Sequence, residues 1–410
     1  MENQSIRPGY IPYLLVMAVL LTAGSALSRV GRIMPALVCL MFTAIIVMMA
    51  MLDRIRFDGE TISHRGPLAF ILSKIFRLRR QISVSEIEAV TTSVISLGIS
   101  GGNARMNYRT RVQGAGLEIL LRSHRANYIP FIKSLFKIIG PAKLDPLSYD
   151  LFEYFESANS LKDTPVLRSE ISVMPISLLR RVANSLRLAG RLAQASSYFR
   201  IAYEKEPRNA ELLYEMSRFF RSSAHASDPK LLQRSDACLR LASRLAETEP
   251  GLLERIGEAF CERLDYKRAS ECFNRALSYE PTRFRSNLGL AEIALRSGKF
   301  AHVAHCYRAA STNPDQTLAS LAEREARYYE RLVIDDDFLE MEARRARAYK
   351  SIRGAQRLSM AAFFTAWLMA IVLGRFNFAL EQFGWALMAT TGFVWCMTTM
   401  TLKLLRRNLA

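Results

Sequence analysis

The sequence predicts an α+β multi-domain membrane protein. Two transmembrane helical hairpins bracket a small β-domain with a C-terminal helix and an all-α solenoid. Three observations lead there. Four uncharged apolar runs stand in two pairs at the chain ends, at residues 11–27, 34–52, 358–373 and 383–402. Residues 54–140 hold short stretches of β-type composition around turn residues. Between Leu179 and Pro281 a spacing of small and large apolar residues recurs at roughly 34 residues.

The 410 residues suffice for two or three domains. The boundaries read as 1–52 for the first hairpin, 53–140 for the β-domain, 141–175 for a loosely patterned connector with one helix at 151–158, 176–350 for the repeats with their capping helices, and 351–410 for the second hairpin and a basic tail. Half of the residues are hydrophobic although the formal charge is +18. Both facts are compatible because the apolar residues are segregated. A spanning helix needs about 17–25 apolar residues. Only 358–373 falls short, and Arg357 and Arg375 can snorkel to extend it. A cleaved signal peptide, with residues 23–26 as the processing region, is the rival reading of the first run; the second run immediately after it weighs against that.

Orientation follows from Lys and Arg near the membrane ends. Arg54, Arg56, Arg344, Arg345, Arg347, Lys350, Arg353, Arg357, Lys403, Arg406 and Arg407 share one side if both hairpins return to it, and they outnumber Arg29 and Arg32 in the first turn. An integral protein of a bacterial inner membrane is expected, with 53–356 cytoplasmic. The basic excess suits anionic lipid headgroups; no nucleic-acid module accompanies it, so no nucleic-acid partner is expected. The six cysteines are scattered singly, without a CxxC pair.

After the first hairpin, residues 55–57 and 61–64 read as a β-hairpin across Asp58-Gly59. Further β pieces are expected at 81–84, 87–94, 108–112 and 116–121. A helix with apolar residues at helical spacing follows at 127–139. Residues 98–103 lack a phosphate-binding pattern and read as a long hairpin turn. The segment 67–80 is both apolar and basic, with Lys74, Arg77, Arg79 and Arg80. It reads either as a strand pair packed on the domain's helix or as a segment lying in the lipid interface. The Asp58-Gly59-Glu60-Thr61-Ile62 hairpin, Arg65-Gly66, the stretch from Ile82 to Ile87 and the final helix together resemble the bacterial pleckstrin-homology-like (PH-like) domains over about 85 residues. That resemblance implies a module facing a partner or the membrane, and no common ligand.

In the solenoid, one copy of the pattern is Leu253, Gly257, Phe260, Tyr266, Ala269, Phe273, Ala276 and Pro281; an earlier copy is Gly190, Leu192, Ala195, Phe199, Ala202 and Pro207. Small residues let two antiparallel helices approach, large ones fill the gap, and proline ends the second helix. The pattern resembles the tetratricopeptide (TPR) family, which implies a docking surface rather than a catalyst. Units at 176–208, 209–249, 250–283 and 284–315 are expected, the second stretched by an insertion near 222–230. Residues 317–350 read as a capping pair, with Asp335, Asp336 and Asp337 at a helix N-terminus.

First helices of such units line a concave groove, so Arg180, Asn184, Arg187, Tyr214, Arg218 and Arg221 are the expected partner-binding residues, with Glu254 and Glu258 further along. Arg180 with Asn184 resembles the Lys-x-x-x-Asn pair by which chaperone-binding TPR domains clamp a carboxylate, with Arg255 at another clamp position. Glu215 stands where that pattern has asparagine, so the clamp is incomplete. His302, His305 and Cys306 share a helix face, but no fourth metal ligand is close in sequence. No metal, cofactor or catalytic motif is expected. The expected function is a membrane-anchored scaffold whose groove takes a protein partner with an acidic segment. The competing expectation is an accessory subunit of an export or envelope-assembly complex, contacting other membrane proteins.

Overall fold

The computed structural model describes residues 4–7, 11–29, 31–67, 70, 79–100, 103–114, 116–123, 127–155, 168–224, 228–372 and 378–407. The chain is mostly helical, carries two small antiparallel sheets, and divides into two compact units. The larger joins Met1–Gly9 to Asp53–Glu330; the other is Tyr10–Leu52 with Arg331–Ala410.

In the larger unit, β1 (Gln4–Ile6), β2 (Arg54–Phe57), β3 (Thr61–Arg65) and β4 (Gln81–Ser83) form one sheet in that order; β5 (Ile87–Ser100), β6 (Asn103–Gly114) and β7 (Leu117–Arg122) form the second. The β2–β3 turn closes as its sequence predicts. Gly59 has φ 98°, and Asp58 Oδ1 accepts hydrogen bonds from the backbone N–H of Glu60 and Thr61 at 3.1 and 2.7 Å. Ser100 pairs with Asn103, so β5 and β6 make a long hairpin where the glycines predict a turn. Helix α1 (Ile11–Arg29) follows β1, and α2 (Ile33–Leu52) precedes β2. Strand β1 is a finding of the structure: three residues carry no readable alternation, and only pairing with β2 makes them a strand.

Helix α3 (Tyr128–Ile139) places Phe131, Ile132, Leu135 and Phe136 out of contact with solvent, against Ile62, Ile82, Val90 and Val112. Burying each such side chain is worth about 1.5–3 kcal/mol. The same core takes in α4 (Pro146–Tyr154) through Leu151 and Tyr154, and Leu188 from the first repeat. Residues 141–155 are therefore packed structure rather than connector. After α5 (Arg168–Val173) come the antiparallel pairs: α6 (Ile176–Leu188) with α7 (Leu192–Lys205), α8 (Ala210–Ser223) with α9 (Pro229–Leu245), α10 (Pro250–Cys261) with α11 (Tyr266–Tyr279), and α12 (Phe284–Arg296) with α13 (Phe300–Ala310), followed by α14 (Gln316–Ile334).

The glycine spacing has a direct steric cause. The Phe273 ring lies between Gly257 and Gly289; a Cβ at either would come within 2.7 or 2.5 Å of it. Gly190, at φ 80°, sits where the first repeat meets β6, and a Cβ there would fall 1.8 Å from the Ala104 carbonyl oxygen.

The second unit contains α1, α2, α15 (Asp336–Val372) and α16 (Phe378–Arg407). The expected break near residue 350 does not occur: α15 holds a single glycine and no proline after its second residue, and runs unbroken from Asp336, with Asp335 Oδ1 accepting from Phe338 N at 3.0 Å. Helices meet on small residues, Gly24 facing Ala36 and Cys39, and Gly384 facing Ala370. Hydrogen bonds from Trp367 Nε1 to Thr22 Oγ1 (3.0 Å) and from Gln356 Nε2 to Thr399 Oγ1 (2.9 Å) lie between them. Large apolar side chains point outward instead, among them Met34, Leu358 and Phe393, at 76, 74 and 68% exposure. Among the described residues, two helices, Ile33–Leu52 and Asp336–Val372, are long and apolar enough to cross a membrane.

Candidate functional site

All six side chains selected as partner-binding lie on α6 and α8, but the chain's own helix α4 packs into that face, reaching Arg187, Arg218 and Glu215. Asp145 starts that helix. Its Oδ1 accepts from Ser148 N and from Thr92 N of β5, each at 3.0 Å, and Pro146 occupies the first helical turn. Ser148 then joins a buried chain of hydroxyls: Ser148 to Thr92 at 2.7 Å, Thr92 to Thr110 at 2.9 Å, and Thr110 to Tyr128 at 2.7 Å. One face of α4 is thereby fixed to the sheet.

Its other face enters the groove. Asp150 is 2% exposed and its Oδ2 accepts from Arg187 Nη2 at 2.6 Å and from Arg218 Nε at 2.8 Å. Burial alone would raise the Asp150 pKa, but Arg218 and Arg187 outweigh it and hold the carboxyl below its ordinary value. Tyr154 donates to Glu215 Oε1 at 2.8 Å; burial, reinforced by the Glu215 charge, raises that phenol. Ser185 donates to the Tyr154 carbonyl. Arg255 lies over the rings of Tyr149 and Tyr214 at 5.3 and 5.4 Å and pairs with Glu211 at 3.3 Å.

This arrangement corrects the expected partner-binding set. Asn184, Arg187 and Tyr214 are buried, at 0, 4 and 1% exposure. Asn184 donates to the Arg180 carbonyl and accepts from Arg187 Nε, so its amide braces the network. Arg218 is committed to Asp150 and also lies over Tyr214. Arg180 does grip a carboxylate in a two-pronged manner, but that carboxylate is Glu215, at 2.9 and 2.8 Å, with Glu211 at 2.8 Å. The residue that breaks the clamp pattern thus fills it from within. Arg221 alone of the six is exposed, with Nη2 3.3 Å from the Glu262 carbonyl oxygen.

Further along, a cleft of about 750 Å³ remains open, bordered by Tyr149, Gly251, Arg255, Arg283, Phe284 and Asn313. Arg283 pairs with Glu280 at 2.7 Å and Arg285 pairs with Glu258 through both oxygens, so the cleft is polar and nearly charge-balanced. A second polar cleft of about 730 Å³ lies on the outer face of β3 and β4, where Arg79 and Arg80 are found. Lys74 and Arg77 lie outside the described residues. On α15, Arg344 pairs with Glu340 and Arg345 with Glu342, Arg347 Nε contacts the Ala343 carbonyl at 3.3 Å, and Lys350 and Arg353 are exposed. Cys306 is buried with its sulfur 3.8 Å from His302 Nε2.

Sequence reasoning missed Asp150, Glu211 and Tyr154. Asp145-Pro146, an N-cap residue followed by proline at the first helical position, was the readable signal for α4. Nothing local signalled which groove that helix would enter. Compared with protein-family models and with curated proteins, this chain matches none.

Proposed function

We propose that the protein is a membrane-anchored scaffold, held in a bacterial inner membrane by two helical hairpins, that presents a rigid PH-like and TPR-like body on the cytoplasmic side for a protein partner. The observation that carries the reading is the pairing of β1 with β2, Gln4 opposite Phe57 and Ile6 opposite Ile55. One strand precedes α1 and the other follows α2, so both ends of the first hairpin meet in one sheet. A hairpin that crosses lipid and returns satisfies this; a single crossing does not.

The outward apolar faces of the second unit support the lipid half of the reading, since large apolar surface left exposed needs a non-aqueous contact. A four-stranded and a three-stranded sheet closed by a C-terminal helix fit the PH-like resemblance, and the helix pairs with Phe273 between glycines fit the TPR-like one. With the first half of the groove filled by α4, the partner surface is the open cleft between Gly251 and Asn313.

The accessory-subunit reading is favoured by one observation, the self-filled groove: repeats sealed by their own chain are suited to bracing a complex. Affinity capture of the intact chain in mild detergent separates the two. Thr248 and Thr282 are exposed at the open cleft. Replacing both with tryptophan blocks it without touching the buried network. Loss of the captured partner supports the scaffold; a stoichiometric membrane complex recovered equally with both proteins supports the accessory role.

A further inference from the structure

The outer face of β3 and β4 is built differently from the rest of the larger unit. Thr61 pairs with Ser83 and Ser63 with Gln81, while the intervening Ile62 and Ile82 turn into the core with no exposure. Alternation therefore leaves a floor of four uncharged polar side chains, Thr61, Ser63, Gln81 and Ser83, under the 730 Å³ cleft. Among the described residues its rim holds Arg65, Arg79 and Arg80 with His64, against one acid, Glu86. Glu86 pairs with Arg79 at 3.0 Å, but both are exposed, and such a pair is worth at most about 1 kcal/mol. Arg65 donates from Nε to Ser63 at 3.3 Å, and no described residue accepts from its terminal nitrogens. Guanidinium groups above hydroxyls and an amide form a donor-rich, cationic setting suited to a phosphate.

This face is also fixed in position along the chain. Asp53, fully buried, lies with Oδ2 3.5 Å from His64 Nε2, and Gly66 closes over it so tightly that a Cβ would sit 1.6 Å from Oδ1. Arg54 pairs directly with Arg65 across the sheet. Two residues span at most ~7 Å, and neighbouring strands are ~5 Å apart. Covalent reach alone therefore keeps the Arg65 backbone within about 12 Å of Leu52, where α2 ends. A headgroup layer is about 5–7 Å deep, and an arginine side chain bridges the remainder.

We propose that the polar face of β3–β4, with Arg65, Arg79 and Arg80 at its rim, binds the phosphate headgroup of an anionic phospholipid in the leaflet from which α2 emerges. The proposal rests on α2 spanning the bilayer, as in the scaffold reading. Anionic lipid then does more than attract a basic surface: a headgroup seated on the sheet fixes the body's standing at the membrane.

The test uses the full chain in phosphatidylcholine nanodiscs doped with a photoactivatable phosphatidylglycerol, with crosslinked peptides mapped by mass spectrometry. Crosslinks are expected on residues 61–65 and 79–83. In R65Q/R79Q/R80Q their yield falls about tenfold or more, R65K/R79K/R80K restores most of it, and K350Q/R353Q on α15 leaves it unchanged. Crosslinks on the wild-type chain that avoid these strands, or that survive the glutamine variant, overturn the site. Abolition of labelling by millimolar inorganic phosphate assigns the cleft to a soluble phosphate and overturns the lipid assignment. Alkaline carbonate extraction is run in parallel: a chain that leaves the membrane sinks the spanning reading itself, whereas one retained without crosslinks sinks only the headgroup site.

Discussion

At the residue scale, Asp150 decides the most. Its carboxylate pairs with two arginines from different helix pairs, their side chains 4 and 10% exposed. Removing one partner from such a set leaves uncompensated buried charge, which costs about 3–5 kcal/mol. Asp150→Ala should therefore lower the unfolding free energy of the intact chain, read from urea titration, by that much, while Arg221→Ala, at an exposed site, should change it by less than about 0.5 kcal/mol. The pH dependence has a definite sign. The folded Asp150 titrates below the ordinary value of about 3.9. Its stabilisation is full above that pH and is lost as pH falls through the lower folded value. Melts from pH 7 to pH 3 should show a loss in the wild type that Asp150→Ala largely lacks; parallel curves would remove Asp150 from this role. Gly190 is the second decisive residue. With φ 80° and the Ala104 carbonyl in the way of any Cβ, Gly190→Ala should cost more than the roughly 1 kcal/mol of a left-handed backbone alone, read as a fall in midpoint.

At the element scale, α4 joins the sheet to the repeats. It touches β5 through Asp145 and Ser148, and the groove through Asp150 and Tyr154. Displacing it would uncover Leu151 and strand Arg187 and Arg218, which is why the groove residues act as structure here. The helix was only half legible, expected at 151–158 within the connector while it runs Pro146–Tyr154, although Asp145-Pro146 is a local signal for its start; the four helix pairs were legible from their small and large apolar spacing, because that signal is local too. The contents of the groove were not legible. Asp150 lies 37 residues from Arg187 and 68 from Arg218, and no periodicity links them. Strand β1 escaped notice for a related reason: its hydrogen bonds go to a strand on the far side of two helices.

At the scale of the whole molecule, the β1–β2 pairing constrains topology. In Ser5→Cys and Asp58→Cys variants, made in a background without native cysteines, both positions should react with a membrane-impermeant thiol reagent only after the inner face is opened. Labelling of the two from opposite faces would break the hairpin reading, because paired strands cannot be parted by a bilayer. Labelling of both from the outer face would keep the hairpin and reverse the orientation taken from the lysines and arginines.

The sequence by itself determined where apolar surface is concentrated, where helices pair and where the chain turns, since each depends on residues within one or two turns of one another. Tertiary structure decided which surfaces remain open. The basic groove closes on Asp150 because burial makes an internal carboxylate the nearest partner for two arginines, and β3–β4 keeps polar residues on its outer face because the alternate residues, Ile62 and Ile82, are spent on the core.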